Sequence, residues 1–120
     1  MTIALDHIQL AIPAGAEADC RAFWAGILNF DEIDKPETLK ARGGAWFRAG
    51  TVDLHLGVES DFRPATKAHP AFRVSTLDDL AAALAHAGHA VRWDDAIDGR
   101  RRFFTDDPVG NRLEFMDAAP

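Results

Sequence analysis

Apolar and polar residues alternate in several short stretches of the chain, and apolar residues recur at helical spacing in two longer ones. Residues 3 to 12 alternate as a half-buried strand does. The apolar face of this predicted strand carries Ile8, Leu10 and Ile12. From Ala16 to Leu28 the apolar residues recur every three or four positions, which predicts an amphipathic helix. Asn29 follows as its C-terminal stop.

The rest of the first half reads as three further strands. They are predicted at residues 30 to 34, 45 to 49 and 51 to 58, and Gly50 joins the last two as a hairpin. Residues 35 to 44 between them form a polar loop. The first half therefore reads strand, helix, strand, strand, strand.

The same order of elements recurs after a linker at residues 59 to 68. The second half begins with a strand at 69 to 75, followed by a helix with Thr76 as N-cap and Gly88 as C-cap. Its three remaining strands are predicted at 90 to 93, 101 to 105 and 111 to 116. The repeat indicates a duplicated α+β fold, with module 1 at about 1–60 and module 2 at about 67–120. Chance recurrence in an ordinary α+β domain is the alternative.

Size and composition favour one soluble domain. The chain has 120 residues, of which 48% are hydrophobic and 27% charged. No apolar run approaches the roughly 20 residues that span a bilayer. The first residues lack the basic start and cleavage site of a secretory signal, so we expect a cytoplasmic protein.

Charge and cysteine content narrow the classes of partner. The formal net charge of −6 disfavours a nucleic-acid partner, and only Arg100–Arg102 is locally basic. The single cysteine, Cys20, excludes an internal disulfide and is expected to pack in the core. Composition therefore favours neither a nucleic-acid partner nor a fold stabilised by an internal disulfide.

Chemistry-bearing side chains fall on the faces of the predicted strands that are not apolar. These faces carry His7, Gln9, Asp53, His55, His69, Arg73, Arg112 and Glu114. If the two halves are related by a pseudo-twofold rotation, the first and last strands of each contribute equivalent positions. Three imidazoles and one carboxylate would then converge as a divalent-metal ligand set, with His7, His69, His55 and Glu114 as its members. Taken singly, each of these residues is equally typical of an ordinary strand surface.

At this point the chain resembles the vicinal oxygen chelate superfamily, which includes glyoxalase I, extradiol dioxygenases, fosfomycin-resistance proteins and metal-free bleomycin-resistance proteins. The resemblance covers nearly the whole sequence. The segments that carry it are 5–11 (LDHIQLA), 23–30 (FWAGILNF), 68–69 (AH) and 107–115 (DPVGNRLEF). The last is the most specific, because its Asp-Pro-x-Gly turn precedes the glutamate.

The resemblance implies two tandem βαβββ modules that form a curved mixed-sheet cleft, with one helix per module on the outside. In the family pattern His7, His69 and Glu114 match the ligands of a divalent metal ion such as Zn, Ni, Mn or Fe. His55 stands where glyoxalase I has a glutamate, so it is either a fourth ligand or a catalytic base. A homodimer is expected, since modules of this family often pair across chains.

Two functions follow as hypotheses. The first is a metal-dependent lyase, isomerase or transferase that chelates a small oxygenated metabolite or thiol adduct and stabilises an oxyanion or enolate. Its expected substrate contacts are Gln9, Trp46, Arg73, Arg102 and Arg112. The second is a non-catalytic drug- or metabolite-binding protein of the bleomycin-resistance type. Its cleft would be lined by Trp46, Phe47, Trp93 and Phe104.

Overall fold

Each half of the chain builds one four-stranded mixed sheet in the computed structural model, which describes residues 1–118. The first sheet, in the unit Met1–Pro64, has the order β1-β4-β3-β2. Its strands are β1 Ile8–Ile12, β2 Asp31–Ile33, β3 Ala45–Ala49 and β4 Val52–Val58. The second sheet, in the unit that starts at Ala65, has the order β5-β8-β7-β6. Its strands are β5 Ala71–Val74, β6 Arg92–Asp94, β7 Arg102–Asp106 and β8 Arg112–Asp117.

The first and last strands of each unit are parallel neighbours, and the other pairings are antiparallel. In unit 1 this sets Gln9 opposite His55, and in unit 2 it sets Ala71 opposite Glu114. Parallel neighbours need a long crossover connection, which here contains a helix and two strands. The predicted α+β class with two βαβββ modules is confirmed.

Both predicted helices are present, and the first changes its pitch. Helix α1 spans Glu17–Arg21 and continues as a π-helix over Ala22–Ile27. Asn29 then adopts a left-handed conformation with φ 58°, as its predicted place at the helix end requires. A short helix, α2 Glu37–Lys40, lies in the loop that the sequence described only as polar.

Helix α3 spans Leu77–His86 in unit 2. Thr76 occupies the N-cap position, although its side chain makes no capping hydrogen bond. The negative charges of Asp78 and Asp79 in the first turn stabilise the helix by interacting with the positive end of its dipole. Gly88, with φ +90°, follows the last turn in the conformation that glycine adopts without steric cost. None of the helices within residues 1–118 has the length and apolar character needed to cross a bilayer.

Each unit buries its own set of apolar side chains. In unit 1 these are Leu10, Ile12, Cys20, Phe23, Trp24, Phe30, Ala45, Phe47, Leu54 and Leu56. In unit 2 they are Phe72, Leu77, Ala81, Leu84, Phe103, Phe104, Leu113 and Phe115. The predicted apolar strand faces therefore supply both cores, and the predicted packing role of Cys20 is confirmed.

The start of the first strand departs most from the prediction, and the other strands start within two residues of their predicted positions. The strand predicted for residues 3 to 12 begins only at Ile8, which is opposite Leu54. Its sole partner, β4, begins at Val52 after the Gly50 turn, so residues 3 to 5 have no strand to pair with. Ile3 and Leu5 are consequently 84% and 80% exposed. In unit 2 the first strand begins at 71 rather than 69, after a proline that cannot donate to a ladder.

Candidate metal centre

The second unit brings His69 and Glu114 into direct contact. His69 Nε2 lies 2.9 Å from Glu114 Oε1, and His69 Nδ1 lies 2.8 Å from the carbonyl oxygen of Lys67. A carbonyl oxygen can only accept, so Nδ1–H donates to Lys67 and the lone pair of a neutral imidazole is on Nε2. Two acceptors would then face each other at 2.9 Å. The contact therefore requires a proton on Nε2 or a cation shared between the two atoms.

Glu114 is held from its other side by an arginine. Its carboxylate is almost fully buried, with 5% of the residue exposed. Arg102 donates to Glu114 Oε2 at 3.1 Å and to Asp94 Oδ1 at 3.0 Å. The hydrogen bonds that Arg102 donates to Glu114 and to Asp94 raise its pKa, and this increase outweighs the lowering by burial. Arg102 stays charged and fixes the orientation of the carboxylate.

Backbone hydrogen bonds attach the segment before β5 to β8. Asn111 accepts from the Ala65 N–H through its side-chain oxygen at 2.9 Å, and the Arg112 N–H donates to the Ala65 carbonyl at 2.8 Å. Further along, the Glu114 N–H donates to the Pro70 carbonyl at 3.1 Å. These bonds run on both sides of residue 69. They fix the backbone that carries His69 next to the strand that carries Glu114.

The buried turn Asp107–Asn111 supports this attachment. The Asp107 carboxylate accepts from the Val109 and Asn111 backbone N–H groups and from the Asn111 side-chain amide. Burial nevertheless raises the pKa of Asp107, against the opposing effect of these bonds. Asn111 thus connects the turn on one side with Ala65 on the other.

In the first unit, His7 makes a hydrogen bond comparable to that of His69. His7 Nδ1 lies 2.8 Å from Asp6 Oδ2, so Nδ1–H donates to the carboxylate and Nε2 is left with the lone pair. An imidazole whose second nitrogen is held by a carboxylate or a carbonyl is the usual arrangement of a metal-ligating histidine. His7 and His69 share this arrangement, one with a side-chain oxygen and one with a main-chain oxygen.

His55 lies in the middle of a stack of three rings in unit 1. Trp46, its cross-strand partner, stacks on one side with ring centroids 3.8 Å apart and planes 2° apart. The His7 ring stacks at 4.1 Å and 19°. Burial lowers the pKa of His55, and the His7 charge lowers it further, while Asp53 opposes both. The two stacked rings leave His55 only 8% exposed, although the sequence pattern did not predict that this sheet face is covered.

The remaining predicted contacts lie on the same sheet faces. Gln9 covers the backbone of Gly57, where an added Cβ would come within 2.6 Å of its Nε2. In unit 2, Arg73 is exposed on β5, and the Arg112 guanidinium lies 4.0 Å above the centroid of the Phe104 ring. The predicted site residues are thus divided between a set in unit 1 and a set in unit 2.

The predicted convergence of four ligands is tested only within each unit. Unit 1 brings His7 and His55 together, and unit 2 brings His69 and Glu114 together. Within either unit, residues 1–118 contain no group of three or more His, Cys, Asp or Glu side chains arranged to hold a metal ion. Each unit supplies part of the predicted ligand set, and the complete set stays a prediction.

Clefts adjoin both sets of residues. In unit 1 a cleft of about 230 Å³ is lined by Gln9 and Trp46 together with Lys35 and Arg42 from the loop at 35 to 44. In unit 2 a cleft of about 730 Å³ lies between Trp93, Ile97 and the arginines at 100 to 102. The polar loop at 35 to 44 therefore lines a cleft in unit 1, and the segment 94 to 102 lines a cleft in unit 2.

Comparison with known proteins identifies the family. Residues 4–115 match the model of the Glyoxalase/Bleomycin resistance protein/Dioxygenase superfamily. The chain belongs to this superfamily. A search of curated protein sequences found no match.

Solved structures of this superfamily resemble the chain over nearly its whole length. A putative glyoxalase family protein from Bacillus anthracis is 44% identical, with a TM-score of 0.93 over 98% of this chain and 96% of that one. The E126Q mutant of the fosfomycin resistance protein FosX from Listeria monocytogenes, complexed with Mn(II) and 1S,2S-dihydroxypropylphosphonic acid, is 19% identical, with a TM-score of 0.82 over 98% and 93%. A glyoxalase/dioxygenase from Nostoc punctiforme is 22% identical, with a TM-score of 0.77 over 95% and 90%. The last two establish likeness of fold alone.

Three residues that support the site escaped the sequence reasoning. Asp6, Asn111 and Asp107 lie beside recognised positions but were not assigned a role of their own. The carboxylate next to His7 was visible as an Asp-His pair, which is a usable signal. The contact between Asn111 and Ala65 joins residues 46 positions apart and has no local sequence signature.

Proposed function

We propose that this protein is a metal-dependent enzyme of its superfamily in which His7, His69 and Glu114 bind one divalent cation. The observation that carries the proposal is that both histidines make the same kind of hydrogen bond through Nδ1. Each Nδ1–H donates to an oxygen, at 2.8 Å in both cases, and each Nε2 is left as a ligand atom. The carboxylate of Glu114 adds the negative charge that a divalent cation needs.

The contact between His69 and Glu114 supports the same ligand set. A divalent cation bound between His69 Nε2 and Glu114 Oε1 would give both facing acceptors a common partner. Arg102 keeps the second oxygen of Glu114 engaged at 3.1 Å, which leaves Oε1 as the ligand atom. Metal binding should therefore need little rearrangement of these two side chains.

Bound in this way, a divalent cation supplies Lewis-acid stabilisation of the negative charge that develops on substrate oxygens. The protein side chains supply the rest of the chemistry. His55 would act as the general base or as a fourth ligand, and both roles use the lone pair of a neutral imidazole. Trp46 and His7 cover its two ring faces and hold the imidazole plane, so only its ring edge can meet a substrate proton.

We further propose that the substrate is a small oxygenated molecule and that the protein acts as a cytoplasmic homodimer. The apolar side chains of Ile3 and Leu5, which are largely exposed, are those that a second copy would cover. Sedimentation velocity tests this point: the protein should sediment as a dimer, and a double change of Ile3 and Leu5 to Ser should shift it toward the monomer.

Metal titration tests the proposed centre. Protein stripped with chelator should bind Mn²⁺ at one site per chain, measured by the electron paramagnetic resonance signal of free Mn²⁺. Glu114→Gln and His69→Ala should each weaken binding by more than about 100-fold, beyond the 10–100-fold typical of residues around a ligand shell. His86→Ala, at the exposed end of α3, is the matched control and should bind as the wild type does. Equal Mn²⁺ binding by all these variants would refute the proposal.

A non-catalytic binding protein is the second candidate, and the 730 Å³ cleft of unit 2 favours it. A cleft of this volume accepts a drug-sized molecule. The side chain of Trp93 at its edge is about half exposed and could stack on a flat ligand. Such a protein should purify without stoichiometric metal, so elemental analysis separates the two candidates.

A further inference from the structure

One face of the unit 2 sheet has more cations than anions, although the whole chain has a net charge of −6. Strand alternation and register place four arginines and three carboxylates on the face that carries Glu114. They are Arg73, Arg92, Arg102, Arg112, Asp94, Asp106 and Glu114. Excess positive charge on one face of an acidic protein indicates that the face meets an anionic ligand.

All three carboxylates are already paired. Arg92 makes a two-pronged ion pair with Asp106, with both N···O distances at 3.0 Å. Arg102 donates to the carboxylate of Asp94 at 3.0 Å and to that of Glu114 at 3.1 Å. Both terminal nitrogens of each of these arginines are therefore already engaged by carboxylates, although the Nε of Arg102 is buried without a partner.

Arg112 is different because no carboxylate among residues 1–118 pairs with it. Its guanidinium makes no hydrogen bond or ion pair with the described residues and rests on the ring of Phe104, 4.0 Å from the centroid. Its Nε is buried and has no hydrogen-bond partner. A guanidinium has five donors, and leaving a buried one unmade is unfavourable, so a partner of opposite charge is expected here. Arg73, the other unpaired arginine of this face, is exposed to solvent.

Arg112 also lies beside the proposed metal ligands. It is two residues before Glu114 on the same face of β8, a separation of about 7 Å along a strand. Phe104, which supports the guanidinium, is the cross-strand partner of Glu114 and contacts the ring of His69 edge-on, at 5.5 Å between centroids. An anion on Arg112 would thus lie within one small molecule's length of His69 and Glu114.

We propose that Arg112 binds an anionic group of the substrate, so that the substrate is a small oxyanion such as a carboxylate or a phosphonate. The inference rests on the proposed function for the identity of the site and deepens it by naming the substrate class. Arg102, which was also expected to contact substrate, instead holds Glu114. A guanidinium matches both planar and tetrahedral oxyanions, and the test below separates them.

Acetate and methylphosphonate are the probes, titrated at constant ionic strength and followed by the ¹⁵N–¹H resonances of the arginine Nε groups. The metal-free protein and the Mn²⁺-titrated protein are measured separately, the latter only for Mn²⁺ affinity. The variants are Arg112→Met and, as a control with the same loss of charge at an exposed arginine that holds no carboxylate in the part of the chain that the structure describes, Arg63→Met. Circular dichroism establishes that both variants are folded.

The metal-free wild type should bind one of the two probes, and the geometry preferred by the site identifies the substrate class. Arg112→Met should weaken that binding about tenfold or more, as expected for the loss of a hydrogen bond to a charged group, and Arg63→Met should leave it unchanged. Binding equal in wild type and Arg112→Met, or no binding of either probe, would overturn the inference. If the probe binds through Arg112 but Mn²⁺ does not bind, the proposed metal function fails and the anion site stands. If Mn²⁺ binds and neither probe does, the proposed anion site fails and the proposed metal function stands.

Discussion

Replacing Asn111 with alanine tests the clamp between the Asp107 turn and the segment that carries His69. Asn111 is 1% exposed, so water cannot substitute for its lost hydrogen bonds. The bond from its amide to the Asp107 carboxylate has a charged acceptor and contributes about 1.5–3 kcal/mol. The bond from the Ala65 N–H contributes about 1 kcal/mol. We expect Asn111→Ala to lower the free energy of unfolding by about 2.5–4 kcal/mol, a large part of the 5–15 kcal/mol typical of a domain.

The loss should also depend on pH. The pKa of Asp107 is raised by burial, so its contribution to stability is complete below the ordinary Asp value and is lost as the pH rises through the raised value. Removing the Asn111 donor raises that pKa further, because the charged form loses a partner. The variant should therefore be destabilised more at pH 7.5 than at pH 4.

Urea unfolding followed by circular dichroism at the two pH values measures the loss of unfolding free energy and its dependence on pH. Asn111→Asp is the informative companion, since it keeps an acceptor for the Ala65 N–H but places a second carboxylate beside Asp107. It should be the less stable of the two variants at pH 7.5 and should recover more at pH 4. A loss below about 1 kcal/mol, or one that is the same at both pH values, would refute this account of the clamp.

Three further outcomes follow from unit 1. Glu17→Gln should lower the unfolding free energy by about 1 kcal/mol at pH 7, because the Gly44 N–H donates to this carboxylate and lowers its pKa. In urea titrations, the difference in stability between the variant and the wild type should vanish as the pH falls below 4.5 and through the lowered pKa of Glu17. Gly44→Ala should destabilise more than Gly50→Ala in thermal melts, since both have positive φ but only the former Cβ would meet the Leu56 carbonyl, at 2.0 Å; equal shifts would contradict this. Cys20 should react with a thiol reagent only as fast as the protein opens, and rapid labelling in native buffer would show that it is not buried.

Local patterns predicted the elements of this fold well because the helices and strands depend on residues close in sequence. The alternation at Leu54 and Leu56 placed β4 and its core face correctly, and the spacing of apolar residues placed α3. The extension of the first strand back to residue 3 was wrong, because strand ends are set by the partner strand rather than by the strand's own pattern.

The site was predicted less completely because its contacts cross long stretches of chain. The pattern placed His55 on a non-core face, but its burial depends on the register that sets Trp46 opposite it. It also ranked Arg102 and Arg112 alike as anion contacts. Only the positions of Asp94 and Glu114 distinguish Arg102, which forms ion pairs with both, from Arg112, which forms none with the described residues.

The hydrogen bonds at Ala65 have a consequence for how the chain tolerates change in length. They set the position of His69 by reference to β8, and the residues upstream of Ala65 take no part in them. Insertions between 59 and 63 should leave the imidazole beside Glu114 undisturbed, whereas one extra residue between 65 and 69 would displace it. Evolution and engineering alike can therefore vary the spacer on one side of Ala65 and are constrained to a fixed count of residues on the other.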